Sequence, residues 1–155
     1  MKLLLDHNAD VNISCTDSGA TALHNAALNG DVGTVKLLVN KKAKVNARAH
    51  DRVTALHISA GKGDAEVVRL LLANNANVNA TLTSNGTTAL HIAARNGDAE
   101  VVKILLDNNA NVNAHSRNGE KPIDSARRKH HLDVVHLLQQ FLDSVVSSNS
   151  DELRK

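Results

Sequence analysis

Three stretches of this chain are near-copies of one another. Residues 21–46 read TALHNAALNGDVGTVKLLVNKKAKVN, residues 54–79 read TALHISAGKGDAEVVRLLLANNANVN and residues 88–113 read TALHIAARNGDAEVVKILLDNNANVN. The opening Thr recurs after 33 residues (54 − 21) and then after 34 (88 − 54). A period of this length constrains the fold more than any other feature, because one such unit cannot bury its apolar face alone and must stack on its neighbours. Residues 1–12, MKLLLDHNADVN, match only the later part of a unit. Nothing therefore precedes Leu3, Leu4 and Leu5 to serve as the polar cap that a stacked array needs. The expectation is a monomer with an uncapped, frayed N-terminal edge through which chains associate, or a fragment of a longer array.

Each full unit reads as two short helices. Thr21, Thr54 and Thr88 are suited to cap the first, and Gly30, Gly63 and Gly97 end it. Asp31, Asp64 and Asp98 then cap a second helix, whose apolar stripe includes Val67, Val68 and Leu71. Asn75 and Asn109 stand where a left-handed residue should close that helix, with Lys42 a poorer substitute. Between the VN pairs and the next TALH lie polar segments containing Ser18-Gly19, Asn85-Gly86 and Asn118-Gly119. These predict projecting hairpin-like turns. Arg52 takes the place of the turn Gly, so it must adopt an uncommon backbone conformation or change the turn.

The last unit departs from the pattern. Lys121-Pro122-Ile123-Asp124 replaces TALH, and Arg127 and His130 replace the Ala94 and Gly97 of the preceding unit. Pro122 suits a first helical turn. A final helix is expected from Leu132 through Val135, Leu138, Phe141 and Leu142, followed by a disordered polar tail over residues 147–155.

The chain resembles ankyrin-repeat proteins. Their G-x-T-P-L-H-x-A-A-x-x-G, V-V-x-x-L-L and G-A-x-V-N elements appear in the first full unit as GATALHNAALNG, TVKLLV and KAKVN, and the resemblance covers about residues 2–142. It implies an all-α repeat solenoid of helix-turn-helix units with projecting turns: a half repeat at 1–12, repeats at 13–46, 47–79 and 80–113, and a divergent terminal repeat at 114–146. It further implies that His24, His57 and His91 bond to their own repeat's Thr and to neighbouring backbone. It makes Asn46, Asn79 and Asn113 hydroxylation candidates in a host with the hydroxylase.

Chemistry beyond the framework is sparse. His130, His131 and His136 form the one local histidine cluster, but the spacing of five from His131 to His136 does not align two ligands on a helix face, so no metal is expected. The segments beginning at Asp6 and Asp107 imitate a calcium loop, yet Val11 and Val112 replace its Gly, and Asp17 and Asn118 its closing Glu. The glycosylation patterns at Asn12, Asn79 and Asn85 lack a secretory signal and are read as chance. Cys15 has no partner for a disulfide and no basic neighbour to activate it. No phosphate loop, nucleophile elbow or carboxylate pair is present, so the reading is of a protein that is not an enzyme and takes no cofactor.

With 18 Lys+Arg against 16 Asp+Glu, the formal charge of +2 is too small to point to nucleic acid. The absence of Trp and Tyr removes stacking platforms for bases. No segment reaches membrane-spanning length, and the location expected is cytoplasmic or another reducing intracellular compartment. The basic run Arg117, Lys121, Arg127, Arg128 and Lys129 is a solvated terminal face or, on a sharper reading, a patch for an acidic peptide or domain.

The expected role is a non-catalytic adaptor or scaffold that binds a protein on its concave side. The alternative is a fragment of a larger ankyrin-containing protein, or a secreted effector acting inside cells, whose array targets another domain. Contact candidates are the positions that vary between repeats. In the turns these are Asp17, Ser18 and Ala20, then His50, Asp51 and Val53, then Ser84, Asn85 and Thr87, then Arg117, Asn118 and Glu120. At the first-helix ends they are Leu28 and Asn29, Lys62, Arg95 and Asn96, and Arg128 and Lys129.

Overall fold

A computed structural model of the chain describes residues 8–153, which leaves Leu3, Leu4, Leu5 and the expected N-terminal edge outside the described residues. Among those described there are eight α-helices and no strand. They pair as α1 Ala22–Asn29 with α2 Val32–Asn40, α3 Ala55–Lys62 with α4 Ala65–Ala73, α5 Ala89–Asn96 with α6 Ala99–Asp107, and α7 Pro122–Arg128 with α8 Leu132–Leu153. The stack is the all-α repeat solenoid that the resemblance implied.

The boundaries follow from the residues placed there. Thr21, Thr54 and Thr88 are extended, at φ −98°, −108° and −101°, immediately before α1, α3 and α5. Gly30, Gly63 and Gly97 close these helices in the left-handed region, at φ 69°, 71° and 77°. At Gly63 the requirement is double, since a Cβ there would also collide with the carboxylate of Asp98. Asp31, Asp64 and Asp98 then accept bonds from the backbone N–H of Thr34, Val67 and Val101 at 3.0, 3.1 and 3.1 Å. A carboxylate at that position satisfies an orphan donor and complements the helix dipole. Lys42, Asn75 and Asn109 turn the chain left-handed after the second helices, at φ 67°, 66° and 65°.

First helices lie in one layer and second helices in the other. The first layer packs more closely, because Ala27, Ala60, Ala93, Ala94 and Ala126 are fully buried and let backbones approach. Between the layers run ladders of equivalent side chains: Leu23, Leu56 and Leu90 in one, and Leu38, Leu71, Leu105 and Leu138 in another, all exposed by 2% or less. Each such Leu contributes about 1.5–3 kcal/mol relative to exposure.

Hydrogen bonds stitch the projecting segments in register. Each turn is closed by one hairpin-like bond, from the N–H of Cys15, Ala49, Leu82 and Ser116 to the carbonyls of Ala20, Val53, Thr87 and Glu120 at 2.8–3.0 Å. Successive turns are joined by the N–H of His50, Thr83 and Arg117 donating to the carbonyls of Ser18, Asp51 and Asn85. On the opposite edge the Asn of each of the first three VN pairs reaches the next loop. Asn12, Asn46 and Asn79 accept through Oδ1 from the N–H of Lys44, Asn77 and Asn111, each at 2.7 Å.

Two expectations meet a specific outcome. Arg52 does adopt the uncommon conformation, φ 61°, and Asp51 beside it also has φ 59°, which makes His50–Arg52 a short 3₁₀ turn. Asp51 offsets this by holding the next turn, accepting through Oδ2 from Ser84 Oγ at 2.6 Å. The residues expected as a polar tail begin within α8, which runs from Leu132 to Leu153, and the last two of them lie outside the described residues. No Gly or Pro follows Leu132 to stop it. Ser144, Ser148 and Ser150 return their hydroxyls to the carbonyls of Phe141, Ser144 and Val146 instead of capping.

Arg52→Gly should raise unfolding stability by about 0.5–1 kcal/mol by relieving a left-handed non-glycine residue. Gly63→Ala should lower it by about 2 kcal/mol, since strain and collision add. Urea titrations with unchanged m-values would test both; two neutral results would remove the conformational argument.

Candidate functional site

The recurring histidines belong to the framework. His24, His57 and His91 are 2%, 4% and 2% exposed, one turn into α1, α3 and α5. Each Nδ1 accepts the backbone N–H of the capping Thr, at 3.1 Å for Thr21 and 3.2 Å for Thr54 and Thr88. The ring proton is thereby placed on Nε2, which donates at 3.0 Å to the carbonyls of Val53, Ala80 and Glu120. Every ring so bridges its helix start to a later segment of the stack. Burial pushes the pKa of His57 and of His91 below the ordinary histidine value, against a smaller opposing pull from the carbonyls they face.

The exposed side of the same helices carries a groove of about 340 Å³. Leu28, Val53, Ile58, Leu82 and Ile92 form its apolar walls, and Gly61 opens its floor, where a Cβ would stand 3.6 Å from a methyl of Ile92. Lys62 stands at its edge. Of the sequence-derived candidates, Leu28, Val53 and Lys62 converge here; Ile58, Gly61, Leu82 and Ile92 were missed. Their signal was present, since Ile58 and Ile92 follow TALH where the first repeat has Asn25. Gly61 fills the place held by Leu28, Arg95 and Arg128 in the other repeats.

One repeat further along, a smaller polar pocket of about 110 Å³ lies between α5 and α7. It gathers the candidates Asn85, Thr87, Arg95, Asn118, Glu120 and Arg128. Arg128 Nη1 pairs with Glu120 Oε1 at 2.6 Å. Ser125, 4% exposed, also lines the pocket and was not anticipated.

Other candidates are engaged in holding the array or stand apart. Asp51 and Ser84 are bonded to each other, which holds the Asp51 carboxyl below the ordinary value. Ser18 Oγ accepts from the N–H of Ala20 at 3.2 Å. Asn96 Nδ2 donates to the Gly61 carbonyl at 3.1 Å, at the border of a third, polar hollow that Lys62 shares. Asp17, Asn29, His50, Arg117 and Lys129 are exposed but line neither the groove nor the pocket. Cys15 has no basic neighbour; backbone N–H groups of Asp17 and Ser18, with the Ser18 hydroxyl, lower its thiol pKa.

The terminal histidines do not converge either. His131 Nε2 meets the Arg95 carbonyl at 3.0 Å, His136 meets Gln140 at 3.2 Å, and His130 occupies the left-handed position at φ 60°. Among the described residues no three His, Cys, Asp or Glu side chains come together where they could hold a metal ion. No described helix is long and apolar enough to cross a membrane.

Comparison with known proteins agrees with the stack. The chain belongs to the ankyrin-repeat family, whose model, ankyrin repeats (3 copies), matches residues 1–82 and again 56–147. It is similar to Inversin of Gallus gallus, 50% identical over 48 residues that make up 30% of this chain and 4% of that protein. Inversin of Danio rerio is 47% identical over 47 residues, 30% of this chain and 5% of the relative. The match thus spans about a twentieth of each relative's length. Ankyrin repeats are generally protein-interaction modules and typically non-catalytic.

Because the folded chain resists protonation of His57 and His91, the unfolded chain takes up protons first on acidification. Their contribution is complete above the unfolded histidine pKa of about 6.5 and is lost as pH falls below it. Urea midpoints should therefore decline from pH 7.5 to 5, and His57→Gln should show a shallower decline from a lower starting stability. Identical slopes for wild type and variant would contradict the account.

Proposed function

We propose that this chain is a non-catalytic adaptor that binds a protein partner on the concave surface of its turns and first helices, in an intracellular compartment. The carrying observation is the groove around Gly61, an open apolar surface on a framework whose other large aliphatic side chains are mostly packed between the layers. Leu28 is 52% exposed at its rim. Apolar surface left open on a rigid scaffold favours association, because little conformational entropy is lost when a partner covers it. The polar rim, including Lys62 and Arg95, supplies selectivity rather than bulk affinity.

A second reading places the same array inside a larger protein that it directs to a target. The small share of each Inversin covered by the match favours keeping that reading. Both readings require the concave surface, and they differ in what else the full protein carries.

Affinity capture from cells tests the surface. Wild type, a concave variant (Leu28→Lys with Arg95→Glu) and a second-helix variant (Lys103→Glu) should divide cleanly. Specific partners should be retained by wild type and Lys103→Glu and lost by the concave variant. Equal retention by all three would refute concave binding.

A further inference from the structure

The groove and the polar pocket lie on either side of one helix. Ile92 in the groove and Arg95 in the pocket are three residues apart on α5, so both project from the same face. The turn before α5 contributes to both as well, through Leu82 on one side and Thr87 on the other. We infer that they form one two-part site for an extended peptide segment that carries a bulky aliphatic side chain and, about three residues away, a carboxylate. This rests on the reading of the concave surface as the binding surface.

The spacing follows from packing. Neighbouring helices lie about 8–10 Å apart, and a chain extended as polyproline II advances about 3.1 Å per residue and returns every third side chain to the same face. A step from groove to pocket therefore takes about three residues of such a chain. The apolar half accepts an aliphatic side chain over Gly61, where the missing Cβ leaves room above Ile92.

Charge selects the second residue. Arg69, Arg127 and Arg128 are each in an ion pair, whereas neither Arg95 nor Lys62 is in one among the described residues. Arg95 and Arg128 with Glu120 leave the pocket with one net positive charge. A single carboxylate neutralises it and can accept from the nearly buried Ser125 hydroxyl. A phosphoryl group would bring a second negative charge against Glu120, within a pocket of about 110 Å³. The site therefore favours Asp or Glu over a phosphorylated residue.

Selection of the full chain against a displayed library of random 16-residue peptides tests this. Enriched sequences should carry Leu, Ile or Val with Asp or Glu three or four positions away. Resynthesised peptides are then titrated by fluorescence anisotropy. Gly61→Leu, which fills the groove at a helical position without positive φ, should weaken them by at least about tenfold. Arg95→Gln should also weaken them, and should equalise the affinities of the acidic peptide and its Asn or Gln counterpart. Circular dichroism confirms that both variants fold.

Loss of binding in Gly61→Leu without any acid preference would overturn the two-part site while leaving concave binding intact. Binding untouched by either variant would overturn both readings. Failure to enrich any sequence, or tighter binding of a phosphoserine counterpart, would overturn the inference itself.

Discussion

The structure depends on a proton held in one place. When the capping Thr donates its backbone N–H to Nδ1, the histidine must carry its hydrogen on Nε2, and that hydrogen reaches a carbonyl in a later segment of the stack. Helix initiation and inter-repeat registration are thus performed by a single side chain. A glutamate at the same capping-box position could return a bond to the Thr but could not also donate onward. The recurrence of His in a buried layer, where an unpaired polar group is costly, follows from this double duty.

On the opposite edge the VN asparagines work in parallel. An amide offers both an acceptor and donors, and Asn46 uses both: its Oδ1 takes the Asn77 N–H and its Nδ2 meets the Asn75 carbonyl at 3.0 Å. The Leu ladders supply most of the stabilisation but little directional information. The two polar ladders set how far one repeat is displaced from the next. That displacement, with the closely packed alanine-lined layer, sets where the exposed residues of successive repeats stand relative to one another.

The framework was legible because it repeats. Thr54, Gly63, Asp64 and Asn75 could be assigned as cap, stop, cap and turn, since each appears again at the same offset and each has a local chemical reason. The functional surface was only partly legible, because it is made from positions that do not repeat and is assembled across repeats. Gly61 carries no sequence signal of its own; its place in the groove comes from Ile92 and Leu28, which line the groove with it from neighbouring repeats. Asp51 and Ser84, contact candidates from their turn positions, are bonded to one another across 33 residues of sequence, a link that the sequence does not reveal. The extent of α8 was not legible because no repeat covers its end; there the hydroxyls of Ser148 and Ser150 bond back to helix carbonyls.

The most direct test of the shared histidine role is the tautomer of the three rings. Long-range ¹H–¹⁵N correlation spectra at pH 7.5 should show His24, His57 and His91 with a protonated Nε2 and a bare Nδ1. The Nε2 protons should exchange slowly with solvent, because each is held by a carbonyl in a buried layer. Rings protonated on Nδ1, or averaging rapidly between tautomers, would contradict the bridge between helix initiation and stacking on which this account rests.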